Sequence, residues 1–287
     1  MLFSCAAALS RLPLAFHYWC ADYILYPLLY HVLRYRRRVV KRNLQRCFPE
    51  KSEAERQRIA RDFYHQLTYT FAETLYGYRC SNEEIRQRVT FANADEVDRA
   101  AKEAGGCVVM LAHMGNWEWM SSCQQWFSPE VLELNVYRKA KKASIDAFLL
   151  DLRSKRGGAY VEKQRVLREM VRYRADKQPI VLGLISDQKP RPEVTRTWVT
   201  FLHQETGFLD GGEELAKRFG YPVFAHLVSR PERGHYHTRF ECISMDPKNT
   251  AEGEITRAYA HKLEQSIIDQ PELWLWSHNR FKWQKQA

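Results

Sequence analysis

Residues 107–120 read CVVMLAHMGNWEWM, and the fold turns on how that stretch is divided. CVVMLA (107–112) is short, apolar and β-branched, as a buried strand requires. The segment before it, DEVDRAAKEAGG (95–106), reads as a helix closed by glycine. His113 therefore stands at the carboxyl end of a strand, the edge of an open α/β sheet where ligands bind. Glu118 follows five positions later. On one continuous helix the two side chains lie roughly 140° apart. Gly115-Asn116 is a turn signal, so a strand–turn–helix path is expected to bring the Glu118 carboxylate back to one imidazole nitrogen. The other nitrogen then faces the crevice as a general base, with its tautomer fixed. A lone His-x4-Glu is short and common, and with no partnered serine or cysteine evident, the hydroxyl to be activated belongs to the substrate.

Outward from this stretch the same alternation continues. VLELNVY (131–137), PIVLGLIS (179–186), TWVTFL (197–202), PVFAHLVS (222–229) and HYHTRFECI (235–243) read as strands. Between them ASIDAFLLDLRSK (143–155), KQRVLREMVRYRADK (163–177) and GGEELAKRFG (211–220) read as helices, and a last helix covers about 252–270. Strands alternating with helices of ten or more residues define an α/β class with a sheet flanked by helices. Nearer the N-terminus, Ser52 with Glu55 makes a capping box. The helix it starts is expected to bury Ile59, Phe63, Leu67 and Phe71.

Residues 1–33 are rich in Leu, Ala, Tyr, Phe and Trp, with Arg11 and Asp22 as the only formal charges before Arg34. The chain then reads RYRRRVVKR (34–42). An apolar aromatic helix followed by concentrated positive charge is expected to be an uncleaved anchor at a cytoplasmic membrane face. An ionised Asp22 at mid-bilayer costs about 3 kcal/mol, so an oblique or half-inserted helix competes with a true span. The expected division is an anchor at 1–33 and a single catalytic domain at 34–287.

The formal charge of +10 suits anionic lipid, nucleic acid or an acidic protein partner and does not choose among them. Seven cysteines at irregular spacing, with no CxxC pair, exclude a disulfide framework and a zinc site. His235 and His237 share a strand face without a third ligand nearby and read as a surface edge. Neither a G-x-G-x-x-G nor a Walker loop occurs.

HMGNWE within LAHMGNWEW resembles the His-x4-Asp/Glu motif of glycerolipid acyltransferases, and the chain more specifically resembles the lipid A biosynthesis lauroyl/myristoyl acyltransferases. YRRRVVKRNLQRCFPEKSEAE (35–55), VYRKAKK (136–142), LRSKRGG (152–158), ISDQKP (185–190) and PELWLWSHNRFKW (271–283) match that family's landmarks in order. The resemblance implies a glycerolipid-acyltransferase-like mixed sheet, an acyl thioester donor (usually acyl carrier protein), and a phosphorylated, partly acylated disaccharide lipid as acceptor. It also implies the cytoplasmic face of a bacterial inner membrane, with no nucleic acid partner. It assigns His113 the proton of the acceptor hydroxyl and Glu118 the orientation of His113. Arg153 is assigned an acceptor phosphate or the oxyanion, Asp187 the positioning of Arg153 or of the acceptor, and Arg138 a lesser phosphate contact. No cofactor and no metal are expected, because base catalysis on a thioester requires none. The loop at 188–196 departs from the family pattern, reading KPRPEVTRT after SDQ where many members carry glycine. Two other readings remain: the same transfer onto an aminolipid or glycolipid, and a non-enzymatic basic protein that binds membrane or nucleic acid.

Overall fold

A computed structural model describes residues 2–283, with side chains from Ala6 onward; Cys5 and the last four residues of the expected 34–287 domain fall outside that description. Its centre is a seven-stranded sheet of β1 (Val89–Phe91), β2 (Gly106–Leu111), β3 (Leu132–Tyr137), β4 (Ala159–Glu162), β5 (Ile180–Ile185), β8 (Val223–Glu232) and β9 (His235–Ser244). The spatial order is β1-β9-β8-β2-β5-β3-β4. Strands β8, β2, β5, β3 and β4 run parallel, whereas β9 turns back antiparallel on β8 and carries β1 parallel to itself. The mixed α/β class is as expected. TWVTFL does form a strand, β6 (Trp198–Phe201), but it pairs with β7 (Gln204–Gly207) as a separate antiparallel hairpin. The tight turn between them places Leu202 and His203 at positive φ.

Parallel central strands are covered on both faces, so they need continuous apolar sequence. Val108, Met110, Ile180, Leu182, Val223 and Phe224 are accordingly buried. The covering helices include α6 (Ala94–Ala104), which Gly105 ends in the left-handed conformation at φ 76°, α9 (Gly211–Phe219) and α10 (Glu254–Asp269). Helix α4 (Glu53–Gly77) starts at the expected box: Glu55 N–H donates to Ser52 Oγ at 3.3 Å and Ser52 N–H to Glu55 Oε2 at 2.7 Å. Ile59, Phe63 and Leu67 are buried, but Phe71 is 49 % exposed. From Gln66 onward the buried face of α4 also carries polar side chains, Gln66, Thr68, Thr70 and Glu73, beside Leu67 and Ala72.

The N-terminal stretch departs most from expectation. In place of one anchor helix there are α1 (Leu2–Leu9) and α2 (Leu14–Cys20), followed by π-helical turns at Ala21–Leu25 and Pro27–Val32. The break falls where Pro13 removes a backbone donor and pushes Leu12 out of the helical region. Among the described residues no helix is long and apolar enough to cross a membrane. Asp22 is held by protein groups: Tyr69 Oη donates to it at 2.7 Å and Arg233 pairs with it at 2.9 Å. Beyond Arg34, α3 (Arg37–Cys47) is bound to the C-terminal segment. Asn43 donates to the Trp276 and His278 carbonyls at 3.0 and 2.9 Å, Arg36 to the Ser277 carbonyl at 2.9 Å, and Arg46 to that of Phe281 at 3.3 Å.

Candidate active site

The register of two central strands builds the site. Leu111 of β2 lies opposite Ile185 of β5, so residues two steps beyond each strand end, His113 and Asp187, face each other. His113 Nδ1 lies 2.8 Å from Asp187 Oδ1, and the His113 backbone N–H donates to Asp187 Oδ2 at 3.0 Å. Trp274 Nε1 donates to the same Oδ2 at 3.0 Å. Asp187 is 4 % exposed and His113 13 %, so the carboxylate is sealed while the imidazole reaches the surface. Burial favours the neutral acid at Asp187, but the His113 charge and these donors outweigh it and hold the pKa at about 2. At His113 burial disfavours the imidazolium. The Asp187 charge and hydrogen bond, with the Glu118 charge behind them, more than reverse that and raise the pKa above 6.5. An ionised acceptor at Nδ1 requires a proton there, which leaves Nε2 as the basic nitrogen of the neutral ring. Nε2 faces the Gln188 amide nitrogen at 3.4 Å, and the ring stands edge-on to Trp117 at 5.4 Å.

The turn after His113 is held from three sides. Gly115 takes φ 59°, and a Cβ there would lie 2.8 Å from the Tyr236 ring, so both the conformation and the close approach require glycine. The C-terminal segment backs the loop, with Leu275 N–H donating to the His113 carbonyl at 3.1 Å and Gly115 N–H to that of Leu273 at 3.0 Å. Asn116 is fully buried; it accepts from Trp119 N–H at 3.2 Å and donates to Glu73 Oε2 at 2.9 Å. Glu73 also accepts from Tyr18 Oη at 2.9 Å and Tyr236 Oη at 2.8 Å. Complete burial raises the Glu73 pKa against the pull of those donors.

The turn does not bring Glu118 to the imidazole. Its carboxylate takes the Arg153 guanidinium in a fork, Nε at 2.8 Å and Nη2 at 2.7 Å. Arg153 projects from α7 (Ala143–Ser154). Burial alone would lower its pKa, but the bonds and charge of Glu118 raise it. The expected orientation of His113 by Glu118 is thus replaced by Asp187, because parallel register delivers that carboxylate to Nδ1. Asp187 correspondingly does not position Arg153. Arg138, just past the end of β3, is exposed and makes no hydrogen bond or ion pair with any described residue. Gln188, Trp274, Asn116 and Glu73 were not singled out from the sequence as parts of the site. Asn116 lies inside HMGNWE as half of its turn signal, Trp274 inside PELWLW and Gln188 inside ISDQKP, whereas nothing local marks Glu73. Among the described residues no group of three His, Cys, Asp or Glu side chains is placed to hold a metal.

The ends of the central strands of this mixed sheet thus present a carboxylate-bound histidine, followed in the chain by a forked Glu–Arg pair, an arrangement that can accept a proton at Nε2. The family model for bacterial lipid A biosynthesis acyltransferases matches residues 8–283, and the chain belongs to that family. It is similar to the lipid A biosynthesis lauroyltransferase of Escherichia coli (strain K12), 22 % identical over 279 residues, which cover 92 % of this chain and 88 % of that protein. It is also similar to the lipid A biosynthesis palmitoleoyltransferase of the same strain and a lipid A biosynthesis acyltransferase of Shigella flexneri. Each of these is 23 % identical over 87 % of this chain and 80 % of the relative. The chain is therefore an acyltransferase, and the reading as a non-enzymatic basic protein is set aside.

Proposed function

We propose that this chain transfers a fatty acyl group from an acyl thioester, carried by acyl carrier protein, to a hydroxyl of a phosphorylated lipid A precursor. The observation that carries the reading is the His113–Asp187 pair at the ends of adjacent central strands, with Nδ1 engaged and Nε2 reaching the surface. Nε2 takes the proton of the acceptor hydroxyl as its oxygen attacks the thioester carbonyl. The tetrahedral intermediate collapses by breaking the C–S bond, and the imidazolium returns the proton to the departing thiolate. Asp187 stabilises the imidazolium formed in between. Glu118 fixes Arg153 through Nε and Nη2, leaving Nη1 for the charge that develops on the carbonyl oxygen.

Residues 1–33 serve, in this reading, to seat the 34–287 catalytic domain on the cytoplasmic face of the inner membrane without a span. More than half of the exposed large apolar side chains among the described residues fall between Leu9 and Tyr35, including Trp19 at 52 % and Tyr23 at 70 %. Such an aromatic face next to RYRRRVVKR suits an interface with anionic headgroups.

The test is mass spectrometry of lipid A from a strain lacking the gene, beside strains complemented with the wild type or with His113→Ala. One secondary acyl chain should be lost, restored by the wild type and not by the variant. Residual transfer by His113→Ala should stay below about one per cent, the scale of a missing general base. A lipid A profile unchanged by the deletion would instead point to an aminolipid or glycolipid acceptor.

A further inference from the structure

Two of the Arg153 nitrogens are committed to Glu118, which leaves Nη1 alone for a substrate group. A different set of cations gathers where the loop after Asp187 meets the C-terminal segment. Gln188, in contact with the imidazole at 3.4 Å, is followed by Lys189, whose backbone N–H donates to His278 Nε2 at 3.4 Å. The Lys189 ammonium stands 5.3 Å from the centre of the Trp283 ring, and the Lys282 ammonium stands 4.3 Å from the same ring. Two like charges are thus held within about 10 Å of each other on one indole, where they repel. Neither makes an ion pair with any described residue, and Trp283 is 40 % exposed.

The rest of the neighbourhood adds positive charge without neutralising it. Arg280 is buried, donates to the Gly207 carbonyl at 2.7 Å and stacks over Phe208, leaving its Nε without a partner. Arg36, just before α3, and Arg42 within it reach the Ser277 carbonyl and the Asn279 side chain. The acid facing this cluster is Asp187, whose oxygens already accept three bonds from His113 and Trp274. Lys189 is pushed below its ordinary pKa by burial and by the charges of Lys282 and Arg280. His278 is pushed down to about 4 by burial, with Arg280, His113 and Lys189 acting the same way against Asp187. It is therefore neutral at physiological pH, and its Nε2 is free to accept the Lys189 N–H.

We propose that Lys189 and Lys282, set on Trp283 where the chain leaves Gln188, the residue that touches His113, form a phosphate-binding cradle that orients a phosphorylated substrate toward the imidazole. The proposal rests on the acyl-transfer reading above and assigns that site its phosphate contacts. Lysine suits the task as a compact charge whose rotatable N–H groups donate to phosphate oxygens from many directions. The exposed indole gives a flat apolar ledge for the neighbouring part of the ligand. Phosphate reaches this site from two sources, the acceptor sugar or the phosphopantetheine arm of the donor, and the chemistry of recognition is common to both.

The test is equilibrium binding by titration calorimetry on the full chain in detergent, which needs no turnover. Two ligand pairs are compared: an acylated disaccharide lipid with and without its phosphate, and an acyl-phosphopantetheine with and without its phosphate. In the wild type the phosphate should tighten one pair by about tenfold or more, as a charge-assisted contact does. Lys189→Gln and Lys282→Gln should each shrink that preference severalfold, Lys189→Arg should keep it, and the pair affected names the source. Lys177→Asn, at the turn before β5 on the opposite end of the sheet, should keep the wild-type preference. No phosphate preference in either pair, or one undiminished in Lys189→Gln, would overturn the cradle. Lack of acyl transfer by a protein that shows the preference would count against the catalytic reading alone.

Discussion

Two carboxylates act on His113, and they come from regions of different character. Asp187 arrives from 74 positions along the chain, at the end of a central strand hydrogen-bonded to the one that carries His113. Glu118 arrives from five positions away, on the peripheral turn that leads to the 3-10 helix Trp119–Trp126. The distant residue binds the imidazole, and the near one binds Arg153 on α7. Backbone register in a parallel pair fixes facing residues to within an ångström or so, whereas a turn is free to aim its side chains elsewhere. Sequence proximity is thus a poor guide to which acid binds the imidazole.

The comparison breaks most readily at Asp187. Asp187→Asn should lower kcat/KM by about a thousandfold or more, because the amide neither fixes the Nδ1–H tautomer nor stabilises the imidazolium. The pH profile should move with it. In the wild type, activity should rise with pH as His113 loses its proton, with a midpoint above 6.5. Without the Asp187 charge, burial dominates and that midpoint should fall. Glu118→Gln should cost less, about a hundredfold, and should leave the pH midpoint of His113 nearly in place, since it releases Arg153 and not the imidazole. A loss as large as that of Asp187→Asn would place Glu118 in direct contact with the reacting groups. Trp274→Phe should be the mildest, about tenfold, because it removes one of the three donors to Asp187 and leaves two. Kinetics across pH 5.5–9 on these three variants check all of these outcomes.

Much of the frame is legible from residue pattern. The strand at CVVMLA, its successors at PIVLGLIS and PVFAHLVS, and the Ser52 capping box follow from local apolar runs and capping chemistry. His113 and Asp187 were both marked, each at a strand end, but their pairing was not, because it depends on strand order and register, which no local pattern encodes. Strand β4 and the short β1 escaped because AYVE and VTF are too short to show a period. Glu73 is the clearest miss. Within α4 it reads as an ordinary helix-surface acid, and only the tertiary arrangement of Tyr18, Asn116 and Tyr236 around it explains a fully buried carboxylate. By apolar composition the N-terminal stretch reads as one helix, whereas the backbone breaks at Pro13.

The measurement that bears most directly on the account is an NMR titration of the His113 imidazole in the wild type, Asp187→Asn and Glu118→Gln. The account predicts a wild-type midpoint above 6.5, a clear downward move in Asp187→Asn and a much smaller one in Glu118→Gln. A midpoint that stays put in Asp187→Asn and drops in Glu118→Gln would contradict it, and would return the orienting role to the acid five residues from the histidine.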